Sequence, residues 1–171
     1  KLLAVVGGSL GGFQALEWAV QFPDRVRGCI PVATAPRLTS QGLAFDVVGR
    51  NAIRQDANFH GGQYYAGRRP EAGLAIARML AHVTYLSSES MQRKFDATRL
   101  EPRDVPTAFE KRFSVGSYLA YQGDRFVDRF DANSYITLST AMDLFDLGDS
   151  PERLRAALDP ATCRWLILSF S

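Results

Sequence analysis

The sequence predicts an α/β fold: a parallel sheet interrupted by a large helical insertion. Three observations carry this. An apolar run, Leu2-Leu3-Ala4-Val5-Val6, passes through a glycine-rich turn into a helical pattern, and a second apolar run follows at Cys29-Ile30-Pro31-Val32-Ala33-Thr34. Strand, helix and strand joined by short links form a right-handed parallel crossover. From about residue 39 to 159 strand periodicity disappears, and it returns only at Cys163 to Phe170. A stretch of that length is not a loop in a compact domain, so helices must fill it.

The elements follow in order. Phe13 to Phe22 carries Phe13, Leu16 and Val20 at helical spacing, which turns one face to the sheet, and Pro23-Asp24 stops it. After the second strand, Ala35-Pro36 breaks the alternation. Ser40 to Arg54 places Leu43, Val47 and Ile53 on a helical stripe, and Asn58 to Pro70, rich in Gly, Tyr and Arg, reads as loop. Glu71 to about Phe95 is the longest helical pattern. Its apolar stripe is Ile76, Ala77, Leu80, Val83 and Thr84, with Arg78, His82 and Tyr85 stacked on a neighbouring face. The charged block from Arg99 to Arg112 reads as a surface loop, and Val115 to Tyr121 as a short helix. Asp131-Ala132-Asn133-Ser134 can cap a helix that carries Leu138, Met142 and Phe145 toward the core. Ser150-Pro151-Glu152 starts another helix and Asp159-Pro160 stops it. The expected organisation is therefore core over 1–36, helical cap over 37–160 and a return strand over 161–171.

Within this frame Gly7-Gly8-Ser9-Leu10-Gly11 stands between strand and helix and reads G-x-S-x-G. That is the setting of a nucleophile elbow, where a serine hydroxyl projects from a tight turn above the sheet. Glycine at Gly7 and Gly11 removes side chains expected to collide with the neighbouring backbone. The N–H of Leu10 lies at the helix start and is the expected donor to an oxyanion. Other glycine-rich readings fail. A dinucleotide fingerprint starting at Gly7 needs glycine where Ser9 stands, and a phosphate-binding loop needs a lysine that is absent.

Bulk properties bound the rest. The 171 residues suffice for one domain with a sizeable core, and a net charge of +2 gives no reason to expect nucleic acid or membrane as a partner. No apolar run has the length of a bilayer span. Cys29 and Cys163 lie in strand-like runs and read as buried free thiols in a reducing compartment; no metal or redox spacing is present. Trp18 and Trp165 read as core residues. The chain begins with Lys1 inside an apparent central strand and closes in another, so it is expected to be an interior portion of a longer protein.

Several motifs together resemble the α/β-hydrolase-fold homoserine O-acetyltransferases. They are Gly-Gly-Ser-Leu-Gly-Gly-Phe-Gln-Ala-Leu-Glu-Trp (7–18), Pro36-Arg37-Leu38-Thr39, Ala44-Phe45 and Val48-Gly49-Arg50. Further on come Gly73-Leu74-Ala75-Ile76-Ala77-Arg78-Met79-Leu80, Thr84-Tyr85-Leu86, Ser117-Tyr118-Leu119, Tyr121-Gln122-Gly123 and Arg129 through Tyr135. The chain departs from the family's usual Met at Leu10 and Phe13, and from its usual Glu at Gly116. The resemblance implies an α/β-hydrolase fold with a helical cap and a cytoplasmic enzyme of methionine biosynthesis. Ser9 would take an acetyl group from acetyl-CoA, a co-substrate rather than a cofactor, and pass it to L-homoserine by a ping-pong route. Arg78 would hold the homoserine carboxylate, with Tyr85 lining the same pocket. The family's Asp and His follow the strand ending at Ser171. His60 and His82 match neither and read as surface or cap histidines, while Arg50, Arg129 and Asp131 read as structural or capping. A homodimer through the cap is implied, with no metal. The alternatives are a succinyl donor, a serine acceptor, an esterase, and a non-catalytic interaction module.

Overall fold

The computed structural model describes residues 1–95 and 113–170. The expected loop from Arg99 to Arg112 lies outside them. The chain divides into two compact units, one of residues 1–43 with 138–171 and one of residues 44–137.

The first unit holds a parallel sheet ordered β1 (Val5–Gly8), β2 (Gly28–Val32) and β3 (Arg164–Trp165). Ladder bonds run past β3: the N–H groups of Leu166 and Leu168 donate to the Cys29 and Pro31 carbonyls at 3.1 Å each. Helix α1 (Leu10–Gln21) covers the sheet with small residues, Ala15 and Ala19, which bury against Cys29 and Ala161. Phe13 stacks on Phe145, ring centroids 4.3 Å apart. Helix α7 (Pro151–Leu158) begins as expected, with the Ser150 hydroxyl accepting from the Arg153 N–H. Cys29 is fully buried and donates its thiol to the Ala15 carbonyl at 3.3 Å; burial, with the nearby Cys163 thiolate second, pushes its pKa up to about 11. Cys163 is only half-buried.

One expectation fails here. Trp18 and Trp165 are 44% and 36% exposed rather than buried. The alanine face of α1 fits close to the sheet, and Trp18 lies outside that contact, tilted against Phe22 at 4.9 Å. In the apolar runs Leu3, Val6, Ile167 and Phe170 are exposed.

The second unit is helical. It takes in most of α2 (Ser40–Gln55), a short 3-10 turn at His60–Gly62, α3 (Glu71–Thr84), α4 (Ser88–Phe95), α5 (Ser114–Val127) and the start of α6 (Ala132–Leu144). Its core is Ile53, Tyr64, Leu74, Ala77, Phe126 and Ala132.

The phase of α3 differs from the periodicity reading. Ile76 and Val83 are exposed, and the buried residues are Gly73, Leu74, Ala77 and His82. Backbone contact decides this. A Cβ at Gly73 would stand 2.5 Å from the Ala52 carbonyl oxygen, so α3 crosses α2 on its glycine. Ala75 meets Gly123 of α5 in the same manner, at 3.1 Å from a built Cβ. The expected helix from Glu71 to Phe95 is two helices. The Thr84 hydroxyl donates to the Ala81 carbonyl at the end of α3, and the Ser87 hydroxyl accepts from the Ser90 N–H to start α4. Val47 is likewise exposed, and α2 buries Gly49, Arg50 and Ile53.

A polar network closes off this core. The buried Tyr64 donates its hydroxyl to Asp131 Oδ1 at 2.5 Å and accepts from the Asn133 N–H at 2.9 Å. Asp131 Oδ2 caps α6 by accepting from the Ser134 N–H at 2.8 Å, the role read from the sequence. Asn133 Nδ2 donates to the Gly62 carbonyl and to the Tyr65 hydroxyl, both at 3.0 Å. Burial alone would raise the Asp131 carboxyl; hydrogen bonds from Tyr64 and Ser134 outweigh it and hold the group below its usual range.

Among the described residues no helix is long and apolar enough to cross a membrane.

Candidate functional site

The turn after β1 has the backbone of a strained elbow. Ser9 sits at φ 52° and ψ −118°, a region that side-chain-bearing residues avoid. Such a conformation costs on the order of 1–3 kcal/mol and persists only where the surroundings enforce it. They do so at both ends. The Ser9 N–H donates to the Val32 carbonyl at 3.0 Å, and the Ser9 carbonyl accepts from the Gly12 and Phe13 N–H groups at 2.8 and 3.2 Å. The side chain is exposed and makes no capping bond to α1, so its hydroxyl remains available.

Glycine makes the turn possible, at Gly7 as expected and at Gly12 in place of Gly11. A Cβ at Gly7 would fall 1.9 Å from the Gly11 carbonyl oxygen, which no rearrangement of a side chain relieves. A Cβ at Gly11 would meet nothing within 4 Å. The second close approach is at Gly12, where a Cβ would lie 2.6 Å from Thr34. Gly7 lets β1 fold back on the helix start, and Gly12 lets α1 approach the end of β2.

Leu10 opens α1, so its N–H has no helical carbonyl one turn back and stands beside the Ser9 side chain in sequence. Ala33, which follows β2 as Ser9 follows β1, also has a positive φ, 48°. Two strained residues thus stand at matched positions beyond the carboxyl ends of adjacent parallel strands, where ligands of open α/β sheets bind. Periodicity gave no sign of Ala33. The hydroxyl of Thr34 beside it is buried and has no hydrogen-bond partner among the described residues. A groove of about 530 Å³ begins at Leu10 and runs along α1 past Gln14, Trp18 and Phe145.

Arg78 and Tyr85, the other two candidates, lie on α3 and at its end. The Arg78 guanidinium carbon is 4.7 Å from the Phe126 ring centroid and 5.6 Å from that of Tyr85. Arg78 Nε is buried and has no hydrogen-bond partner among the described residues. Tyr85 is 61% exposed. His82 is buried within the helical unit, not on its surface. Tyr135 packs edge-on against Phe126, and its hydroxyl reaches to within 3.0 Å of a Cβ built on Gly49. Burial, then the Asp46 carboxylate, pushes its pKa up to about 12. Among the described residues no group of three His, Cys, Asp or Glu side chains could hold a metal ion.

Known proteins resemble the chain over nearly its whole length. The model of the alpha/beta hydrolase fold family matches residues 1–161. The chain is 59% identical, over 98% of its length and 27% of the relative's, to a bifunctional methionine biosynthesis protein MetXA/MetW of Rhodopirellula baltica. It is 50% identical, over 100% of its length and 44% of the relative's, to a homoserine O-acetyltransferase of Solidesulfovibrio magneticus. It is 47% identical, over 99% of its length and 45% of the relative's, to a homoserine O-succinyltransferase of Magnetococcus marinus. The chain thus spans less than half the length of these relatives. Among solved structures, a homoserine O-acetyltransferase from Bacillus anthracis superimposes with a TM-score of 0.80 at 25% identity, covering 99% of this chain and 45% of that one. Esterase E22 superimposes at 0.82 and 25% identity, covering 99% and 46%. The chain belongs to the α/β-hydrolase fold family.

Proposed function

We propose that the protein carrying this chain moves an acetyl group from acetyl-CoA to the hydroxyl of L-homoserine, with Ser9 as the nucleophile. The observation that carries this reading is the strained, exposed Ser9 at the elbow, in a chain about half identical to a named homoserine O-acetyltransferase.

In the first step Ser9 Oγ attacks the thioester carbonyl and its proton passes to a general base. The N–H of Leu10 donates to the oxyanion, and the carbon–sulfur bond breaks as the thiol of CoA leaves with a proton. In the second step the homoserine hydroxyl gives its proton to the same base and attacks the acyl ester, and the Ser9 oxygen departs reprotonated. The base and its orienting carboxylate are the family's later His and Asp. Arg78 holds the homoserine carboxylate, since a guanidinium offers paired donors to two oxygens, and Tyr85 walls the same cleft. The site needs no cofactor beyond the CoA thioester and no metal. A cytoplasmic homodimer joined through the helical cap is the assembly we propose.

A donor-by-acceptor matrix tests the proposal in the full protein. Acetyl-CoA with homoserine should give the fastest CoA release, well above succinyl-CoA as donor or serine as acceptor. Equal release with and without homoserine would make the protein an esterase, a reading that the structural likeness to esterase E22 keeps in play. Faster release with succinyl-CoA would assign the activity of the Magnetococcus relative instead.

A further inference from the structure

Among the described residues a second buried nitrogen without a hydrogen-bond partner lies beside Arg78 on α3. His82 lies one turn after Arg78 on α3, so the two side chains share a helix face. His82 is only 8% exposed. Its Nδ1 is 3.0 Å from the Tyr118 hydroxyl of α5, whereas its Nε2 is buried and has no hydrogen-bond partner among the described residues. Arg78 Nε is in the same condition. A buried polar atom left without a partner is costly, and two of them one turn apart on one face call for a common explanation.

Aromatic rings join the pair. The Tyr85 centroid is 5.6 Å from the Arg78 guanidinium carbon and 5.2 Å from the His82 centroid. Tyr118 meets His82 edge-on at 5.6 Å, and Phe126 lies under Arg78. We propose that Arg78 and His82 together form the carboxylate cradle, with Arg78 Nε and His82 Nε2–H donating to one bound carboxylate. This deepens the substrate reading above and rests on it.

The proposed cradle takes the Tyr118 phenol as donor to Nδ1, which places the ring proton on Nε2, toward the ligand. Burial and the charges that act on the ring among the described residues favour its neutral form. Burial comes first, followed by Arg78 on the same helix, Arg129 beyond α5 and Lys94 on α4, and together they hold the His82 pKa below its usual value. Lys94 itself lies over the Tyr118 ring, 4.5 Å from its centroid. Such a neutral ring adds a directed donor without adding a competing charge. The test of a binding role is therefore selective for the acceptor substrate.

Four variants of the full protein separate the possibilities. His82→Phe keeps the ring and removes both nitrogens, and should raise the homoserine KM about tenfold while leaving the acetyl-CoA KM within about twofold. His82→Gln restores a side-chain N–H and should recover most of that loss. Tyr118→Phe frees the ring and should give a smaller rise. Arg78→Ala should raise the homoserine KM further than any of these. An unchanged homoserine KM in His82→Phe, beside a selective rise in Arg78→Ala, would overturn the His82 role and leave Arg78 in place. Equal losses for both substrates in Arg78→Ala would overturn the carboxylate reading itself. Should His82→Phe fail to fold, nitrogen NMR on the native protein decides. The His82 Nε2–H resonance should shift with homoserine and stay with 2-amino-1,4-butanediol, which lacks the carboxylate. A resonance that ignores both, or follows both alike, would contradict the proposal.

Discussion

Two polar clusters lie in the helical unit of residues 44–137, and they are built to opposite rules. In the cluster of Tyr64, Asp131 and Asn133 the polar groups find one another: the phenol donates and accepts, the carboxylate caps α6, and the amide reaches a carbonyl and a second phenol. Around Arg78 and His82 two buried nitrogens have no hydrogen-bond partner among the described residues and are surrounded by rings. A closed network fixes a structure, whereas unpaired buried donors suit a polar ligand. Stability should therefore depend on the first cluster and substrate affinity on the second. The elbow differs from both. It carries backbone strain at Ser9, held by backbone hydrogen bonds and by the close approaches at Gly7 and Gly12.

This contrast can be broken most severely at the elbow. Ser9→Ala should lower acetyl transfer by about 10³-fold or more while the protein melts at or above the native temperature, since only an exposed hydroxyl is lost. Kinetics and a thermal scan on one preparation check both halves. Gly7→Ala should cost stability as well. Its Cβ has no room beside the Gly11 carbonyl, so a loss of about 3 kcal/mol or more is expected by denaturant titration, together with activity. Gly11→Ala, with nothing within 4 Å, should fold and should melt within a few degrees of the native protein.

The two clusters separate next. Arg78→Ala should raise the homoserine KM by about 30- to 100-fold and barely move the melting temperature. Tyr64→Phe strands Asp131 Oδ1 and the Asn133 N–H, and should cost about 1–3 kcal/mol with the homoserine KM unchanged. If the two variants gave the same mixture of effects, the distinction between closed and open clusters would fail.

The smallest effect is in pH. His82 has a folded pKa below its ordinary 6.5, so the unfolded chain binds the extra proton first as the pH falls. Its contribution to stability is whole above pH 6.5 and declines as the pH drops toward the folded value. A denaturation series from pH 7.5 to about 5 should show that slope, and His82→Gln should flatten it.

The sequence reveals the elbow because its requirements fall on consecutive residues: strand, G-x-S-x-G, helix. Even there it misplaced the second close contact, since whether Gly11 or Gly12 faces Thr34 depends on how α1 meets β2. The cleft was half legible. Arg78 and Tyr85 stood out through the family resemblance, but His82 read as an ordinary cap histidine. Its hydrogen-bond partner, Tyr118, belongs to α5, and that bond spans 36 positions. The phase of α3 was misread for a related reason. Hydrophobicity favours Ile76 and Val83 as the buried face, whereas the closest approach of backbones is set by Gly73 and Ala75, which carry almost no hydrophobic signal.

The central claim is that Ser9 carries the acyl group between substrates. The most direct measurement gives the full protein acetyl-CoA without homoserine, quenches it in acid and maps the modified peptide by mass spectrometry. One acetyl group on Ser9, discharged when homoserine is added before the quench, is the predicted result. An acetyl group on any other residue, or steady transfer to homoserine with Ser9 never labelled, would contradict it.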